Sequence, residues 1–186
     1  MTESTTKKGP PDWLLTEIQE LFDTGCQAAF DPTAEAARAR VIDAMDRFIG
    51  ACSEQGDGDP TPYWITTTVL TQMYHKANPA MVAELIADPG SFLGLGAVNR
   101  NTGEPVPDIE AIVGPEDLAG HAALLAMRLI VAAGNAEQDQ EYALLTAANP
   151  EVVVGALLLL VEMVGGAVAE TSKDAGELSD EGLAAL

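Results

Sequence analysis

Few residues in this sequence have the types and spacing that support catalysis or metal binding. His75 and His121 are the only histidines among 186 residues. Asp117 precedes His121 by four positions, so on a helix the carboxylate and the imidazole would share a face. Two ligands do not complete a metal site, and neither histidine has a glutamate three residues before it, as helical di-iron sites require. We therefore expect Asp117, His121 and Arg128 to form a solvated polar stripe, and we predict no bound metal.

Nucleophilic and phosphate chemistry also lack a recognisable motif. The sequence contains no GxSxG turn and no GxxxxGK loop, and the short GLG of residues 94–96 does not extend to GxGxxG. Cys26 and Cys52 have no CxxC neighbour and no obvious base nearby, and two cysteines are too few for a disulfide framework. Both are expected to be small core residues. The sequence thus predicts a protein that is not an enzyme and that uses no cofactor.

The charge balance limits the partners that the protein can bind. The formal net charge is −20, from 29 acidic and 9 basic residues, and after residue 100 the only fixed cations are Arg128 and Lys173. Such a chain repels phosphate groups, so we expect no direct binding to nucleic acid and no binding to anionic membranes. The candidates are a protein partner, with a basic one favoured, and a second copy of the chain. A strong net charge also serves solubility alone.

Favoured N-cap residues before prolines divide the chain into segments. The pairs are Asp31-Pro32, Thr61-Pro62, Asn78-Pro79, Gly114-Pro115 and Asn149-Pro150. Proline loses no hydrogen bond at the first position of a helix, so each pair predicts a helix start. We predict an all-α, single-domain orthogonal bundle of about six helices over residues 12–171. Residues 1–11 would be a disordered tail, and residues 172–186 an acidic flexible tail.

Apolar residues at helical spacing identify the faces expected to be buried. They are Leu14, Ile18, Leu21 and Phe22; Val41, Met45, Phe48 and Cys52 with Ile42 and Ile49; Ile65, Val69, Met73 and Ala77; and Leu118, Leu125, Leu129 and Ala132. The segment after Pro62 also contains aromatic and β-branched residues that suit a strand. Its length and four-residue period favour a helix.

The tripeptide ANP occurs twice, in HKANPAMVAEL and in TAANPEVVVGAL. The first interpretation is a corner at which one helix ends and the next begins, because Asn is a good N-cap and Pro suits the first turn. The second is an internal duplication, since the two Asn residues lie 71 positions apart (149 − 78). The corner needs no further assumption, so we prefer it, with duplication as the alternative.

The last helical segment, Val152 to Ala169, is apolar on almost every side, which predicts a buried helix. It contains Glu162 and three glycines and has no flanking cation, so we expect a central core helix and not a membrane span. Gly155, Glu162, Gly166 and Ala169 form a strip on one side, where another helix could approach. Glu162 would point to solvent, with a buried carboxylate or a dimer contact as alternatives. No signal-peptide pattern opens the chain, and we predict a cytoplasmic protein.

The leading functional hypothesis is a non-catalytic, regulatory or accessory protein that presents an acidic helical surface, or a long loop, to a protein partner. The loop or small hairpin is expected between Asp88 and Gly114. The candidate partner-binding residues are Arg100, Glu104, Asp108, Glu110, Asp117 and His121. One alternative is a small-molecule-binding bundle with a pocket lined by Trp64, Tyr74, Phe92 and Met127. Another is an acidic DNA mimic that inhibits a DNA-binding protein.

Overall fold

The computed structural model describes residues 9–30, 35–56, 58–87 and 116–174, which form seven helices and no strand. The helices are α1 (Asp12–Phe30), α2 (Glu35–Gln55), α3 (Thr61–Ala77), α4 (Pro79–Ala87), α5 (Leu118–Gly134), α6 (Gln138–Ala147) and α7 (Pro150–Asp174). All seven contribute to one hydrophobic core. The predicted all-α helical bundle is confirmed, with one helix more than the approximate count. The loop or hairpin predicted between Asp88 and Gly114 lies outside the described residues.

Both ANP tripeptides are corners between two helices. The amide of Asn78 donates to the carbonyl of Tyr74 at 2.8 Å and thereby closes α3, while the Asn78 carbonyl accepts from the amide of Val82 in α4. The side-chain oxygen of Asn149 accepts from the amide of Glu151 at 2.9 Å at the start of α7. The corner interpretation is therefore confirmed, and internal duplication remains an alternative that the structure does not test.

Two other helix starts differ from the prediction. Pro60 is the N-cap of α3, and Asp59 accepts from both the amide and the hydroxyl of Thr61, so Thr61 is the first helical residue and not the cap. Helix α5 begins at Leu118, after Asp117 has capped it by accepting from the amide of Gly120 at 2.9 Å. The pairs Asp31-Pro32 and Gly114-Pro115 lie outside the described residues.

Helix α3 is confirmed as a helix, but its predicted buried face is wrong. Ile65, Val69, Met73 and Ala77 are only half-buried, whereas the fully buried residues are Pro62, Thr66, Thr67, Leu70, Thr71 and Tyr74. Threonine tolerates this burial because its hydroxyl can donate to a carbonyl one turn earlier. Thr66 donates to Pro62 at 2.8 Å and Thr71 donates to Thr67 at 2.9 Å. The observed buried face of α3 is therefore displaced by about one residue from the face that hydrophobicity alone predicts.

The other predicted faces are largely correct. The four apolar residues predicted for α1 are all buried, as are Val41, Met45, Phe48 and Cys52 of α2. Two residues contradict the prediction, since Ile42 is 54% exposed and Leu118 is 44% exposed. Ile42 lies at the edge of the α2 stripe, and Leu118 is the first residue of α5, where fewer neighbouring helices surround the chain.

Helix α7 is the centre of the bundle and packs mainly against α1, α3 and α5. Residues Pro150–Ser172 are long and apolar enough to cross a membrane, but 61% of their most apolar window is buried within the protein. This burial is typical of the core helix of a soluble helical protein, as the sequence predicted.

Small residues allow two helices to approach α7 closely. A Cβ on Gly165 would lie 2.4 Å from the carbonyl oxygen of Gly25 in α1, and a Cβ on Gly155 would lie 2.8 Å from Ala122 in α5. Glu162 is exposed, as predicted. Gly166, however, has no atom within 4 Å of its would-be Cβ, so the predicted strip is not one continuous contact surface.

Candidate functional site

An apolar groove lies where the ends of four helices meet. Its volume is about 700 Å³, and it is lined by the C-terminal ends of α2 and α6 and the N-terminal ends of α3 and α7. The apolar lining of this groove comprises Ile49, Cys52, Tyr63, Leu145, Val153 and Val154, together with two prolines at its edge. A cavity of this size is within the range of ligand-binding sites.

One edge of the groove is the turn between α2 and α3. The amide of Gly56 donates to the carbonyl of Cys52 at 2.8 Å and closes α2, where a Cβ on Gly56 would lie 2.5 Å from that carbonyl oxygen. Gly58 has a φ of 79°, which favours glycine. Asp59 then accepts the two hydrogen bonds from Thr61. The glycine-containing turn thus ends α2 and places Asp59 on the rim.

The opposite edge is the corner between α6 and α7. Ala148 is extended, with φ −81° and ψ 154°, and Asn149 then caps α7 through the amide of Glu151. Pro150 occupies the first position of α7, so the corner is held by the same cap and proline pair that the sequence reveals. Ala148, Pro150 and Glu151 all line the groove. The two proline-containing turns therefore bound the groove together.

The rim carries negative charge. Asp59 and Glu151 are exposed carboxylates that line the groove, and the lining residues that the structure describes include no lysine, arginine or histidine. Hydrogen bonds from the hydroxyl and the amide of Thr61 lower the pKa of Asp59 below its usual value, so Asp59 is ionised at neutral pH. The groove thus combines an apolar floor with an anionic edge.

The floor is chemically inert. Burial, and to a smaller extent the nearby Glu17 charge, raises the pKa of the Cys52 thiol to about 12. Burial and Asp23 likewise raise the pKa of Cys26 to about 11. Both thiols are free and buried, which confirms that they are core residues. A protonated thiol is a poor nucleophile, so Cys52 contributes apolar surface to the groove.

Apolar surface continues from the groove along α2. Ile49 lies in the groove and is half-buried, and Ile42 lies seven residues earlier on the same side of the helix. The tyrosine on the other side of the groove is held in place, because Tyr63 contacts Phe48 edge to face with ring centroids 5.4 Å apart. Exposed Asp46 lies between the two isoleucines on α2.

A buried polar cluster lies one helical turn from the groove. Glu141 in α6 is only 2% exposed, and its carboxylate accepts from the hydroxyl of Thr68 in α3 at 2.9 Å. The next residue, Tyr142, contacts Trp64 of α3 edge to face at 6.0 Å between ring centroids. Among the described residues, the Trp64 indole nitrogen and the Thr67 hydroxyl are buried without a hydrogen-bond partner. The contact between α3 and α6 therefore includes polar groups that are buried in the core.

Burial raises the pKa of the Glu141 carboxyl above its ordinary value. The hydrogen bond from Thr68 and the nearby His75 act in the opposite direction but do not cancel this shift. A carboxylate loses hydration when it is removed from water, and one hydroxyl donor replaces only part of that hydration. Among the acidic residues in the part of the chain that the structure describes, Glu141 is the one whose charge the fold opposes most clearly.

His75 connects its own helix, α3, to α5. Its Nε2 atom lies 2.9 Å from the carbonyl oxygen of Ile130 in α5, and because a carbonyl only accepts, Nε2 carries the proton. A Cβ on Gly134, at the end of α5, would lie 3.0 Å from the His75 ring. The observed partner of His75 is thus a backbone carbonyl on a different helix, which gives His75 a structural role in the contact between α3 and α5.

The residues first considered for chemistry do not form a metal site. The Asp117 carboxylate caps α5, and His121 and Arg128 line a cavity of about 630 Å³ among α5, α6 and α7. No group of three or more potential metal ligands occurs in the part of the chain that the structure describes. The candidate partner-binding residues Arg100, Glu104, Asp108 and Glu110 lie outside the described residues, so the structure does not test their grouping with Asp117 and His121.

The three described residues named for the small-molecule alternative do not all line one of the cavities described above. The Tyr74 hydroxyl donates to the sulfur of Met81 at 2.9 Å, and Trp64 packs on Tyr142. Met127 lines a cavity of about 350 Å³ whose lining includes neither Trp64 nor Tyr74. Phe92 lies outside the described residues.

Sequence reasoning missed both the groove and Glu141. A signal for Glu141 exists, since it stands four residues before buried Leu145 and so shares the inward face of a short helix. The threonine run of residues 66–68 is a second signal, because hydroxyls on a core helix can serve as partners for a buried carboxylate. The groove has no signal in the sequence, because it depends on how four helix ends meet.

No protein-family model, no curated protein and no solved structure matches this chain. Two features of the chain itself bear on its function: the apolar groove with its anionic rim and the acidic surface that surrounds the groove.

Proposed function

We propose that this protein is a non-catalytic accessory or regulatory protein of the cytoplasm that binds a basic protein partner through its acidic helical surface. One observation carries the proposal. Among the described residues up to Ser172, every aspartate and glutamate is exposed except half-buried Glu17 and buried Glu141. Negative charge is thus presented to solvent on α1, α2, α4, α6 and α7, whereas α3 and α5 contain no acidic residue.

The acidic surface is little neutralised by cations. The formal net charge of −20 spreads over a small chain, and one of its few arginines, Arg47 in α2, is paired with Glu20 of α1. An uncompensated field of this sign accelerates encounter with a positively charged protein and opposes encounter with nucleic acid or anionic lipid. Solubility alone would explain a high net charge, but it would not explain an apolar groove with two carboxylates on its rim.

The test is affinity capture from a cell lysate followed by quantitative mass spectrometry at low and high ionic strength. We expect the captured proteins to be basic and to be lost at high salt, because screening weakens interactions between exposed charges. A matched variant replaces exposed Asp43, Asp46 and Glu54 of α2 with the corresponding amides and should capture less. Capture of no protein, or capture that neither salt nor the variant affects, would contradict the proposal.

A second candidate function, the binding of a small molecule, is favoured by the volume of the groove. At about 700 Å³, the groove is large enough for a drug-sized ligand, and its rim would select an amphipathic cation. A thermal-shift panel of cationic and anionic amphipathic compounds tests this candidate. Stabilisation by the cationic members alone would support it, and no shift with any member would count against it.

A further inference from the structure

We propose that the apolar groove and the exposed face of α2 form one continuous docking track for a basic amphipathic helix of the partner protein. This inference rests on the proposed function and adds to it the site and the form of the partner. Three observations carry it: the spacing of the apolar residues, the sign of the rim charges and the exposure of an isoleucine beside the groove.

The apolar residues on α2 have the spacing that a docked helix recognises. Ile42 and Ile49 are seven residues apart, which on a helix is about 10 Å along one face. A partner helix with apolar side chains at positions i, i+3 and i+7 presents anchors over the same length. One anchor would enter the groove beside Ile49, and the next would cover Ile42, which is 54% exposed.

Side chains, and not helix dipoles, determine the sign of the track. Two helix C-termini, from α2 and α6, and two N-termini, from α3 and α7, meet at the groove, so their partial charges oppose one another. The exposed carboxylates of Asp46, Asp59 and Glu151 then make the groove end of the track negative. Lysine and arginine on the flanks of a docked helix would meet these three groups.

The same charges argue against occupants from this chain. A second copy would bring another net charge of −20 to the track. The C-terminal residues 175–186 contain Glu177, Asp180 and Glu181 and no cation, so they too would meet like charge. Residues 1–8 contain Lys7 and Lys8, but Met1 is their only apolar residue, so they lack the anchors that the floor requires. A basic amphipathic helix of another protein satisfies both the floor and the rim.

Three synthetic helical peptides of equal length test the proposal by fluorescence anisotropy with the full chain. The first carries leucines at i, i+3 and i+7 with lysines elsewhere, the second replaces the lysines with glutamates, and the third keeps the lysines but replaces the leucines with serines. We expect the first peptide to bind at least about tenfold more tightly than either of the others, because the track requires both apolar anchors and positive charge.

Neutral substitutions locate the binding site without changing the charge of the protein. Ile42→Gln and Ile49→Gln should each weaken binding of the first peptide by about tenfold. The matched control is Leu15→Gln on α1, which removes a residue of similar exposure (47%) and should change affinity less than about twofold. Ile42 and Leu15 are both exposed, so these two variants remain informative even if Ile49→Gln fails to fold.

One further variant tests the charge of the rim. Asp59→Asn keeps an oxygen acceptor for Thr61 and should weaken binding through its lost charge.

The outcomes separate this inference from the proposed function. Tight binding of both lysine peptides, unaffected by Ile42→Gln and Ile49→Gln, would overturn the docking track and leave the acidic-surface function standing. Equal binding of the glutamate peptide would overturn both. A dimer in light scattering that Ile42→Gln dissociates would show that a second copy occupies the track, and this also overturns the proposal.

Discussion

Thr68 on α3 donates a hydrogen bond of 2.9 Å to the carboxylate of Glu141 on α6. This bond joins two helices, and the two bonded residues lie 73 positions apart in the sequence. Glu141 is nearly inaccessible to solvent, and Leu145, one turn further along α6, lines the apolar groove. The protonation of Glu141 therefore affects the contact between α3 and α6, and through α6 it affects one wall of the groove.

Replacing Glu141 with glutamine should alter how stability depends on pH. Burial raises the folded-state pKa of Glu141, so folding favours the protonated acid. The resulting stability is fully present below the unfolded pKa of about 4.3 and is lost as the pH rises through the folded pKa. Glu141→Gln cannot ionise, and its amide oxygen can still accept from Thr68. Relative to wild type, the variant should therefore gain stability as the pH rises above the unfolded pKa.

The measurement is the free energy of unfolding in urea for both proteins at several pH values in this range. Taking the difference removes the contribution of all other titrating groups, which is essential in a protein with so many carboxylates. Glu162→Gln is the control, because it makes the same chemical change at an exposed position of α7 and leaves Glu141 in place. A constant difference for Glu141→Gln would show that the carboxyl is better solvated than its burial indicates.

Two neighbouring glycines of α7 should respond oppositely to substitution by alanine. A Cβ at Gly165 would lie 2.4 Å from the backbone oxygen of Gly25, and no side-chain rotation relieves that contact. We expect Gly165→Ala to lower the free energy of unfolding by about 1–3 kcal/mol. Gly166→Ala meets no atom within 4 Å and should raise the free energy by about 0.5–1 kcal/mol, because alanine favours the helix.

Urea unfolding of both variants with wild type checks this pair. Each change adds one methyl group to the same helix, so only the position of α1 distinguishes them. Equal effects would mean that α1 and α7 do not approach at Gly25 and Gly165.

Asp117 should act as a helix cap and not as a charged binding residue. Its carboxylate accepts from the amide of Gly120 at the start of α5. Asp117→Ala should cost about 1 kcal/mol of stability, whereas Asp117→Asn should cost little, since asparagine caps equally well. Thermal or urea unfolding measures both variants. If the acidic charge of Asp117 instead served a partner, Asp117→Asn would weaken partner capture while leaving stability intact.

The sequence indicated most of the helices because local rules determine their starts. Asn78, Asn149 and their prolines form caps through neighbouring backbone atoms, so no distant contact is needed to recognise them. The central position of α7 was also predictable, since a helix that is apolar all round must be buried. The number of helices and the all-α class follow from the same local patterns.

What the sequence did not indicate depends on contacts between distant segments. Thr66 and Thr71 are buried because their hydroxyls bond within α3, so a scale that treats threonine as polar misplaced the face of that helix. The burial of Glu141 needs Thr68, and the groove needs four helix ends that converge from different parts of the chain. Helical periodicity indicates which face is apolar, but it does not indicate which helix covers that face.

The two cysteines should be almost unreactive while the protein is folded. With pKa values of about 12 for Cys52 and about 11 for Cys26, roughly one thiol in a thousand or fewer is ionised at pH 8. An aromatic disulfide reagent should therefore react slowly in buffer and rapidly with both thiols in urea, where the ordinary thiol pKa of about 8.5 is restored. Comparing Cys26→Ala with Cys52→Ala assigns the residual rate to one thiol. Rapid reaction of Cys52 in the folded protein would mean that the groove admits water to its floor, and the floor would then be a weaker apolar anchor than the docking track requires.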